Sequence, residues 1–174
     1  VVGSASALSS GGGTGAMAIN KLVAESLGEL TKFCQIIHVA GKNKSITNYE
    51  LRITNYANYE FLEAEKMAEA LKAADLVVTR AGMGFLSELS YLGKPSIIIP
   101  IPDSHQEANA EFFKSKKAAI VIEQKSLTAE SFTHMIKDLL ADEKMRSELA
   151  INMGQAMKKG ANLEMIKIIW EIIK

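Results

Sequence analysis

The sequence lacks the features that mark several classes of protein. It contains a single cysteine in 174 residues, which excludes an intramolecular disulfide and fits a reducing compartment. Lys and Arg together number 20, as do Asp and Glu, so there is no positive excess to hold a nucleic acid by bulk charge. No apolar run approaches the ~20 residues of a membrane span, and no signal peptide opens the chain. What remains is a globular composition, with 48% hydrophobic residues.

Short β-rich runs alternate with helical patterns, which is typical of βαβ units around a parallel sheet. The predicted strands are Phe33–Val39, Tyr59–Leu62, Leu76–Thr79, Ser96–Pro100 and Ala119–Ile122. The predicted helices are Ala16–Leu27, Glu63–Ala73, Gly84–Leu92, His105–Lys114, Thr128–Leu140, Asp142–Lys158 and Asn162–Ile173. The run from Ser96 to Pro100 is apolar without alternation, as in a strand covered on both faces. We therefore predict one α/β domain over residues 1–174, with a Rossmann-like, doubly wound parallel sheet.

Two segments do not fit this pattern. The Ser/Ala/Gly-rich run from Ser4 to Gly13 is interpreted as an insertion where a short turn is expected. The tetrapeptide Ile-Thr-Asn-Tyr at 46–49 recurs at 53–56, and we interpret residues 45–58 as an expanded, inserted surface loop. The chain also starts at Val1 without a methionine, which suggests a piece of a longer protein.

Ligands of open α/β sheets bind beyond the carboxyl ends of the strands, so the loops there are the places to search. The first such loop, residues 11–16, is glycine-rich and precedes a helix. Its glycines would let a phosphate approach the backbone, and Thr14 adds a hydroxyl. The loop matches neither the Walker pattern nor a strict dinucleotide fingerprint. A plain flexible turn is therefore an equal alternative.

The second loop carries the clearest signal. The strand ending at Thr79 runs into Gly82-Met83-Gly84 and then a helix, which would expose the backbone N–H groups of about Met83 to Phe85 to a diphosphate. Glu88 follows one turn later. A carboxylate there can accept two hydrogen bonds from a vicinal diol such as a ribose. The alternative is that Glu88 only interacts with the helix dipole.

The third loop, residues 100–110, follows the most apolar strand. Two prolines stiffen it, and Ser104 or Asp103 can cap the next helix. Gln106 and Asn109 are three residues apart and therefore share a face of that helix. Neutral amides in this position suit the recognition of sugar hydroxyls.

The sequence predicts no metal or cofactor and no catalytic nucleophile. No group of His, Cys and carboxylates has metal-ligand spacing, and an Asp-x-Asp motif is absent. His105 has no Ser or Cys partner that would suggest a nucleophilic triad. His38 and His134 are interpreted as structural.

These residues resemble a known family. The segment Arg80 to Ser96 and the run His105-Gln106-Glu107-Ala108-Asn109-Ala110 are similar to the C-terminal domain of the MurG family. Members of that family transfer N-acetylglucosamine from UDP-N-acetylglucosamine to a lipid-linked muramoyl-pentapeptide, lipid I, and so form lipid II of peptidoglycan. The resemblance spans residues 11–159 and implies the C-terminal half of a GT-B glycosyltransferase.

The resemblance also implies roles for individual residues. Gly13 and Thr14 would contact the diphosphate, Leu62 would bond uracil through its backbone, and Glu88 would hold the ribose hydroxyls. Amides at Met83, Gly84 and Phe85 would meet the phosphates and donor sugar. The implied substrate-binding residues are Gly13, Thr14, Leu62, Arg80, Met83, Gly84, Phe85, Leu86, Ser87, Glu88, His105, Gln106 and Asn109.

The same resemblance implies an inverting transfer in which UDP leaves without help from a metal. The acceptor site and catalytic base would belong to an N-terminal domain that this chain lacks, so the chain alone would be inactive. The full-length protein would be cytoplasmic and peripheral on the inner face of the cell membrane. Three alternatives stay open: the donor-binding subunit of a split GT-B transferase, a non-hydrolysing UDP-N-acetylglucosamine epimerase, and a regulatory nucleotide-binding module.

Overall fold

In the computed structural model, residues 6–10, 17–42 and 55–173 are described, and they form a sheet covered by helices on both faces. The six strands are β1 Ser6–Ser10, β2 Gln35–Val39, β3 Tyr56–Tyr59, β4 Leu76–Thr79, β5 Ser96–Ile98 and β6 Ile120–Val121. Their order across the sheet is β3-β2-β1-β4-β5-β6, and each neighbouring pair is parallel. The order reverses between β1 and β4, which is where such sheets bind ligands. The prediction of a doubly wound parallel sheet is confirmed.

In the described part of the chain, seven α-helices connect and flank these strands. They are α1 Met17–Leu30, α2 Ala64–Ala73, α3 Met83–Leu92, α4 His105–Ser115, α5 Ala129–Ala141, α6 Glu143–Ala156 and α7 Ala161–Ile173. A short 3₁₀ turn, Gln124–Ser126, follows β6. The predicted helices agree with these bounds within a few residues. In the structure Thr128 caps the start of α5, and Gly93, with φ of 63°, ends α3.

The interpretation of Ser4 to Gly13 as an insertion is wrong for its central part. Residues Ser6–Ser10 form β1, which pairs with β2 on one side and β4 on the other. Leu8 is fully buried and Ala7 nearly so, although the strand carries only two apolar residues. Pairing on both edges holds this strand in the centre of the sheet, and the weak β propensity of serine is overridden by that context.

The third strand also begins earlier than predicted. β3 covers Tyr56–Tyr59, whereas the sequence indicated Tyr59–Leu62. The predicted loop 45–58 therefore overlaps β3. Asn55 and Asn58 favour a loop in the sequence, and nothing local indicates that Tyr56 pairs with Ile36. The rest of the duplication, with the first glycine-rich loop, lies outside the described residues.

Two apolar layers sandwich the sheet. On one face, α1 and α5 pack on the side chains that β2, β4 and β5 direct to that face. Phe132 of α5 is fully buried there, and Leu27 of α1 nearly so. On the other face, α2, α3, α4 and α6 cover Leu8, Val77 and Ile98. Burial on both faces explains the unbroken apolar run of β5. Within the described residues, no helix has the length and apolar character needed to cross a membrane.

Candidate functional site

The N-terminus of α3 is open. Gly82 is its N-cap and no side chain accepts a hydrogen bond there, whereas Ser104 caps α4, Thr128 caps α5 and Asp142 caps α6. The first bond within α3 is donated by the N–H of Leu86 to the carbonyl of Gly82 over 3.0 Å. The N–H groups of the three residues before it therefore have no helical acceptor. Open N–H groups at a helix start, together with the helix dipole, are a type of site that can bind an anion.

The glycines at this helix start keep the backbone accessible. Among the described residues, a β-carbon placed on Gly82 or Gly84 would meet no atom within 4 Å beyond its chain neighbours and its own helix backbone. Packing against the described residues therefore requires neither glycine. Their missing side chains instead leave room for a ligand to approach the amides.

A cavity of about 860 Å³ lies beside this helix. Its volume is within the range of small-molecule sites. Its walls come from the end of β2, the loop after β3, and the facing sides of α2 and α3. The lining residues are Val39, Gly41, Glu60, Phe61, Leu62, Ala64, Met67, Ala68, Leu71, Gly84, Phe85, Ser87, Glu88, Tyr91 and Leu92.

Five of the predicted site residues meet in this cavity, and they are Leu62, Gly84, Phe85, Ser87 and Glu88. Glu88 is exposed and lies one helical turn after the open amides, as its spacing predicted. Met83 is also exposed and is the first residue of α3. The structure therefore places the uncapped start of α3 and a carboxylate around one opening, with apolar walls beside them.

The amide side chains of α4 are turned to the backbone that precedes α3. The Oε1 atom of Gln106 accepts hydrogen bonds from the N–H of Ala81 and the N–H of Ile101, both over 3.2 Å. Asn109 donates from Nδ2 to the carbonyl oxygen of Ala81 over 2.9 Å. Both polar groups of the Ala81 backbone are thus held by one helix. Their spacing of three residues predicted a shared face, and the structure shows what that face contacts.

Arg80 is buried and ties three loops together. Its Nη1 donates to the carbonyl oxygens of Ile99 and Pro100 over 2.9 and 3.0 Å, and its Nη2 donates to Oε1 of Gln124 over 2.6 Å. Burial lowers the pKa of the guanidinium from its ordinary value. Among the described residues its buried Nε has no hydrogen-bond partner. The Arg80 side chain thus braces the loops after β5 and β6, and Arg80 is not among the residues that line the cavity.

One predicted contact residue is corrected. The side chain of Leu86 is fully buried in the core, and its N–H is used by the bond to Gly82. It therefore presents neither group to a ligand, because it falls on the inner face of α3. His105 is exposed at the start of α4 and is not part of the cavity wall. Gly13 and Thr14 lie outside the described residues.

A buried hydrogen-bond chain supports the wall on the β2 side. Asn20 donates from Nδ2 to the carbonyl oxygen of Ala40, so its Oδ1 accepts from Nε2 of His38 over 3.0 Å. The other ring nitrogen, Nδ1, then accepts from the hydroxyl of Tyr56 over 2.9 Å. Burial lowers the pKa of His38 to about 4 and raises the pKa of Tyr56 to about 12. The prediction of a structural role for His38 is confirmed, and the chain fixes the backbone next to Gly41 in the cavity.

Several wall residues were not predicted. Phe61 and Tyr91 are exposed aromatic side chains at the cavity, and Lys42 lies over the Phe61 ring with its Nζ 5.6 Å from the centroid. Gly41 has φ of 95°, a conformation that favours glycine. Phe61 shortly follows β3 and Tyr91 lies near the end of α3. The sequence shows an aromatic residue at both places, and this was a signal for a binding surface. Within the described residues, no group of three or more His, Cys, Asp or Glu could hold a metal ion.

Comparison with known proteins identifies the family. The model of the glycosyltransferase family 28 C-terminal domain matches residues 8–163. A protein of Rickettsia felis named UDP-N-acetylglucosamine–N-acetylmuramyl-(pentapeptide) pyrophosphoryl-undecaprenol N-acetylglucosamine transferase is 34% identical over 159 residues, covering 86% of this chain and 44% of that protein. The protein of the same name from Saccharophagus degradans is 34% identical over 157 residues, covering 87% of this chain and 40% of its own length.

A solved structure agrees with the sequence matches. The crystal structure of Acinetobacter baumannii MurG superposes with a TM-score of 0.80 at 25% identity, covering 97% of this chain and 50% of that one. The chain thus spans about half the length of the curated relatives that it matches. Because the family model covers most of the chain, including the open helix start and the cavity wall, this protein belongs to the glycosyltransferase family 28 C-terminal domain family.

Proposed function

We propose that this chain binds UDP-N-acetylglucosamine as the donor-binding domain of an inverting N-acetylglucosaminyltransferase that converts lipid I to lipid II in peptidoglycan synthesis. The observation that carries the proposal is the open start of α3, with the exposed Glu88 one turn later at the same cavity. A diphosphate fits the amides of Met83 to Phe85, and a ribose diol fits the carboxylate. The names of the relatives supply the sugar and the acceptor.

The remaining walls suit the rest of the nucleotide. Leu62 follows β3 and lines the cavity with Phe61 and Met67, so a flat, weakly polar base can lie against apolar side chains while the Leu62 backbone offers hydrogen-bonding groups. As the resemblance implies, Gly13 and Thr14 of the first glycine-rich loop would contact the diphosphate; that loop follows β1, which neighbours β4 at the switch point.

The reaction would proceed by attack of an acceptor hydroxyl on the anomeric carbon, with UDP as the leaving group. The bond from the anomeric carbon to the diphosphate oxygen breaks, and negative charge grows on the diphosphate. Amides already aimed at that position stabilise the charge without reorganising. This step requires neither a metal nor a cofactor.

The acceptor side belongs to the other half of the full-length protein. Since the chain spans about half of its relatives, we expect it to bind the donor but not to transfer the sugar by itself. The catalytic base and the contact with the lipid-linked acceptor would lie on that other half. The full-length protein would then work in the cytoplasm, peripheral on the inner face of the membrane.

Isothermal titration calorimetry tests the donor-binding proposal. We expect the folded chain to bind UDP and UDP-N-acetylglucosamine and to bind ADP and NAD at least tenfold more weakly, because the apolar cavity must select the base. Equal affinity for ADP would favour a general nucleotide module. Absence of UDP binding by a sample with a cooperative unfolding transition would overturn the proposal. Conversion of UDP-N-acetylglucosamine to its 2-epimer would point to the epimerase instead.

A further inference from the structure

A lysine stands at the aromatic wall of the cavity. Lys42 is exposed, and its Nζ lies 5.6 Å from the centroid of the Phe61 ring, which lines the cavity and is itself 56% exposed. Among the described residues that line the cavity, the charged ones are Glu60 and Glu88, so Lys42 brings a cation to a wall whose own charges are acidic. Within the described part of the chain Lys42 forms no ion pair. No carboxylate there competes for its three N–H donors.

The backbone that leads to Lys42 is held in place. The N–H of Ala40 donates to the carbonyl oxygen of Tyr59 over 2.8 Å, and the carbonyl oxygen of Ala40 accepts from Nδ2 of Asn20 over 2.9 Å. Gly41 then has φ of 95° and lines the cavity, so the chain turns at this glycine. The side chain of Lys42 therefore starts from a fixed point at the edge of the cavity, and its ammonium rests on the Phe61 ring.

The strand order places this lysine beside the base of a bound nucleotide. Phe61 follows β3 and α3 follows β4, and these strands are three positions apart in the sheet. At ~4.8 Å per strand, their ends are separated by ~14 Å. A nucleotide with its diphosphate at the start of α3 and its ribose at Glu88 therefore extends its base toward β3. In uracil, C4 lies across the ring from the N1 atom that carries the ribose, so O4 is the carbonyl oxygen farthest from α3.

We infer that Lys42 is a specificity-determining residue, which donates a hydrogen bond from Nζ to O4 of a uracil base lying against Phe61. This inference rests on the proposed function and adds a side-chain contact to the base. Cytosine carries an amino group at C4, so its N–H groups would face the ammonium with no acceptor between them. A cation at this position therefore selects UDP over CDP, both by a bond to the right base and by a mismatch with the wrong one.

The substitution Lys42→Met removes the ammonium and keeps an unbranched side chain. In calorimetry it should weaken UDP binding about five- to tenfold, the loss of one charge-assisted hydrogen bond at an exposed site, and should leave CDP binding within twofold. Lys42→Arg keeps a cationic donor and should retain the preference for UDP. An equal loss for both nucleotides would place Lys42 at the diphosphate, and an unchanged UDP affinity would make it only a surface contact of Phe61. Either result would overturn the inference.

Thio analogues of UDP test the atom that Lys42 contacts. Sulfur is a weaker acceptor than oxygen, so 4-thio-UDP should bind the unsubstituted chain and Lys42→Met within twofold of each other. The analogue 2-thio-UDP keeps O4 and should lose as much affinity as UDP does on the same substitution. A loss with 4-thio-UDP as large as that with UDP would exclude the contact with O4.

A matched control removes the same charge elsewhere. Lys66 is exposed on α2, a helix that lines the cavity, and its Nζ lies 3.1 Å from Oε2 of Glu69. Lys66→Met should keep UDP affinity within twofold, and a loss equal to that of Lys42→Met would assign the effect to net charge and refute the contact. Absence of UDP binding by the folded, unsubstituted chain would overturn the proposed function together with this inference. UDP binding whose preference over CDP is unchanged in Lys42→Met would overturn the inference alone.

Discussion

The hydroxyl of Ser90 lies between two backbone groups at the end of α6. It donates to the carbonyl oxygen of Met153 over 2.8 Å and accepts from the N–H of Met157 over 3.3 Å. Those two groups would bond each other if the helix continued, so the side chain from α3 replaces the last turn and α6 ends at Ala156. A buried serine of α3 thus caps the end of α6.

Ser90→Ala should lower the free energy of unfolding by about 1–3 kcal/mol, because it leaves a buried carbonyl and a partly buried N–H without their partner. Chemical denaturation at neutral pH measures the change. Ser115→Ala is the matched control, since the Ser115 hydroxyl donates to Phe112 at an exposed site. Equal losses in the two variants would contradict the special role of Ser90.

Glu88→Ala should weaken UDP binding by ~1–3 kcal/mol, the range for lost charge-assisted hydrogen bonds to a ribose. The same substitution should cost nothing against 2′,3′-dideoxy-UDP, which lacks both hydroxyls. Calorimetry with the two nucleotides on both proteins forms a double-mutant cycle. An identical loss of affinity for both nucleotides would show that Glu88 does not act through the ribose hydroxyls.

Gly84→Ala should separate stability from binding. Among the described residues the added methyl meets no atom within 4 Å beyond its chain neighbours and its own helix backbone. Alanine favours a helix over glycine by roughly 0.5–1 kcal/mol, so the melting temperature should not fall. The methyl would stand at the cavity wall, and we expect UDP affinity to drop about tenfold, a steric cost of ~1–3 kcal/mol. Gly28→Ala in α1 also meets no atom within 4 Å and should leave UDP affinity unchanged. Unaltered UDP affinity in Gly84→Ala would indicate that the ligand does not bind at the start of α3.

The buried His38 should make stability depend on pH. Its pKa falls from 6.5 in the unfolded chain to about 4 in the folded protein, so between these values the unfolded state binds more protons. The His38 contribution is fully present above pH 6.5 and is lost as the pH falls toward 4, up to about 3 kcal/mol. Denaturation of the unsubstituted chain and of His38→Gln at pH 7 and pH 5 measures the difference. His134→Gln, at an exposed histidine, should keep the full dependence of the unfolding free energy on pH. An unchanged pH dependence in His38→Gln would contradict the assignment to His38.

The sequence was informative where local and tertiary preferences agree. The β4 run Leu76–Thr79 is apolar throughout, and the glycines after it punctuate the chain before α3, so strand, turn and helix were all predicted correctly. The exposed Glu88 followed from helical spacing alone. The fold class could be predicted because strand–turn–helix units of this kind recur along the chain.

Elements that depend on distant partners were not predictable in this way. β1 has three serines in five residues and is stabilised as a strand by its pairing with β2 and β4. β3 overlaps the repeated Ile-Thr-Asn-Tyr segment, which does not look like a strand in the sequence. The cavity wall from α2 consists of small and apolar residues such as Ala64 and Met67, which carry no chemical signature. For Gln106 and Asn109 the spacing gave the shared face, but only the packing of α4 against the β4 loop identifies the partner.

The central place of β1 affects the order in which the protein can fold. Among the described strands β1 comes first along the chain, yet Ala7 must pair with Leu76 as well as with Ile36. During synthesis one edge of β1 therefore stays unsatisfied until β4 has left the ribosome, and sheets with such distant pairings form slowly. The helix that follows β4 directly carries the open amides, so the binding surface is completed only when the two halves of the sheet have joined.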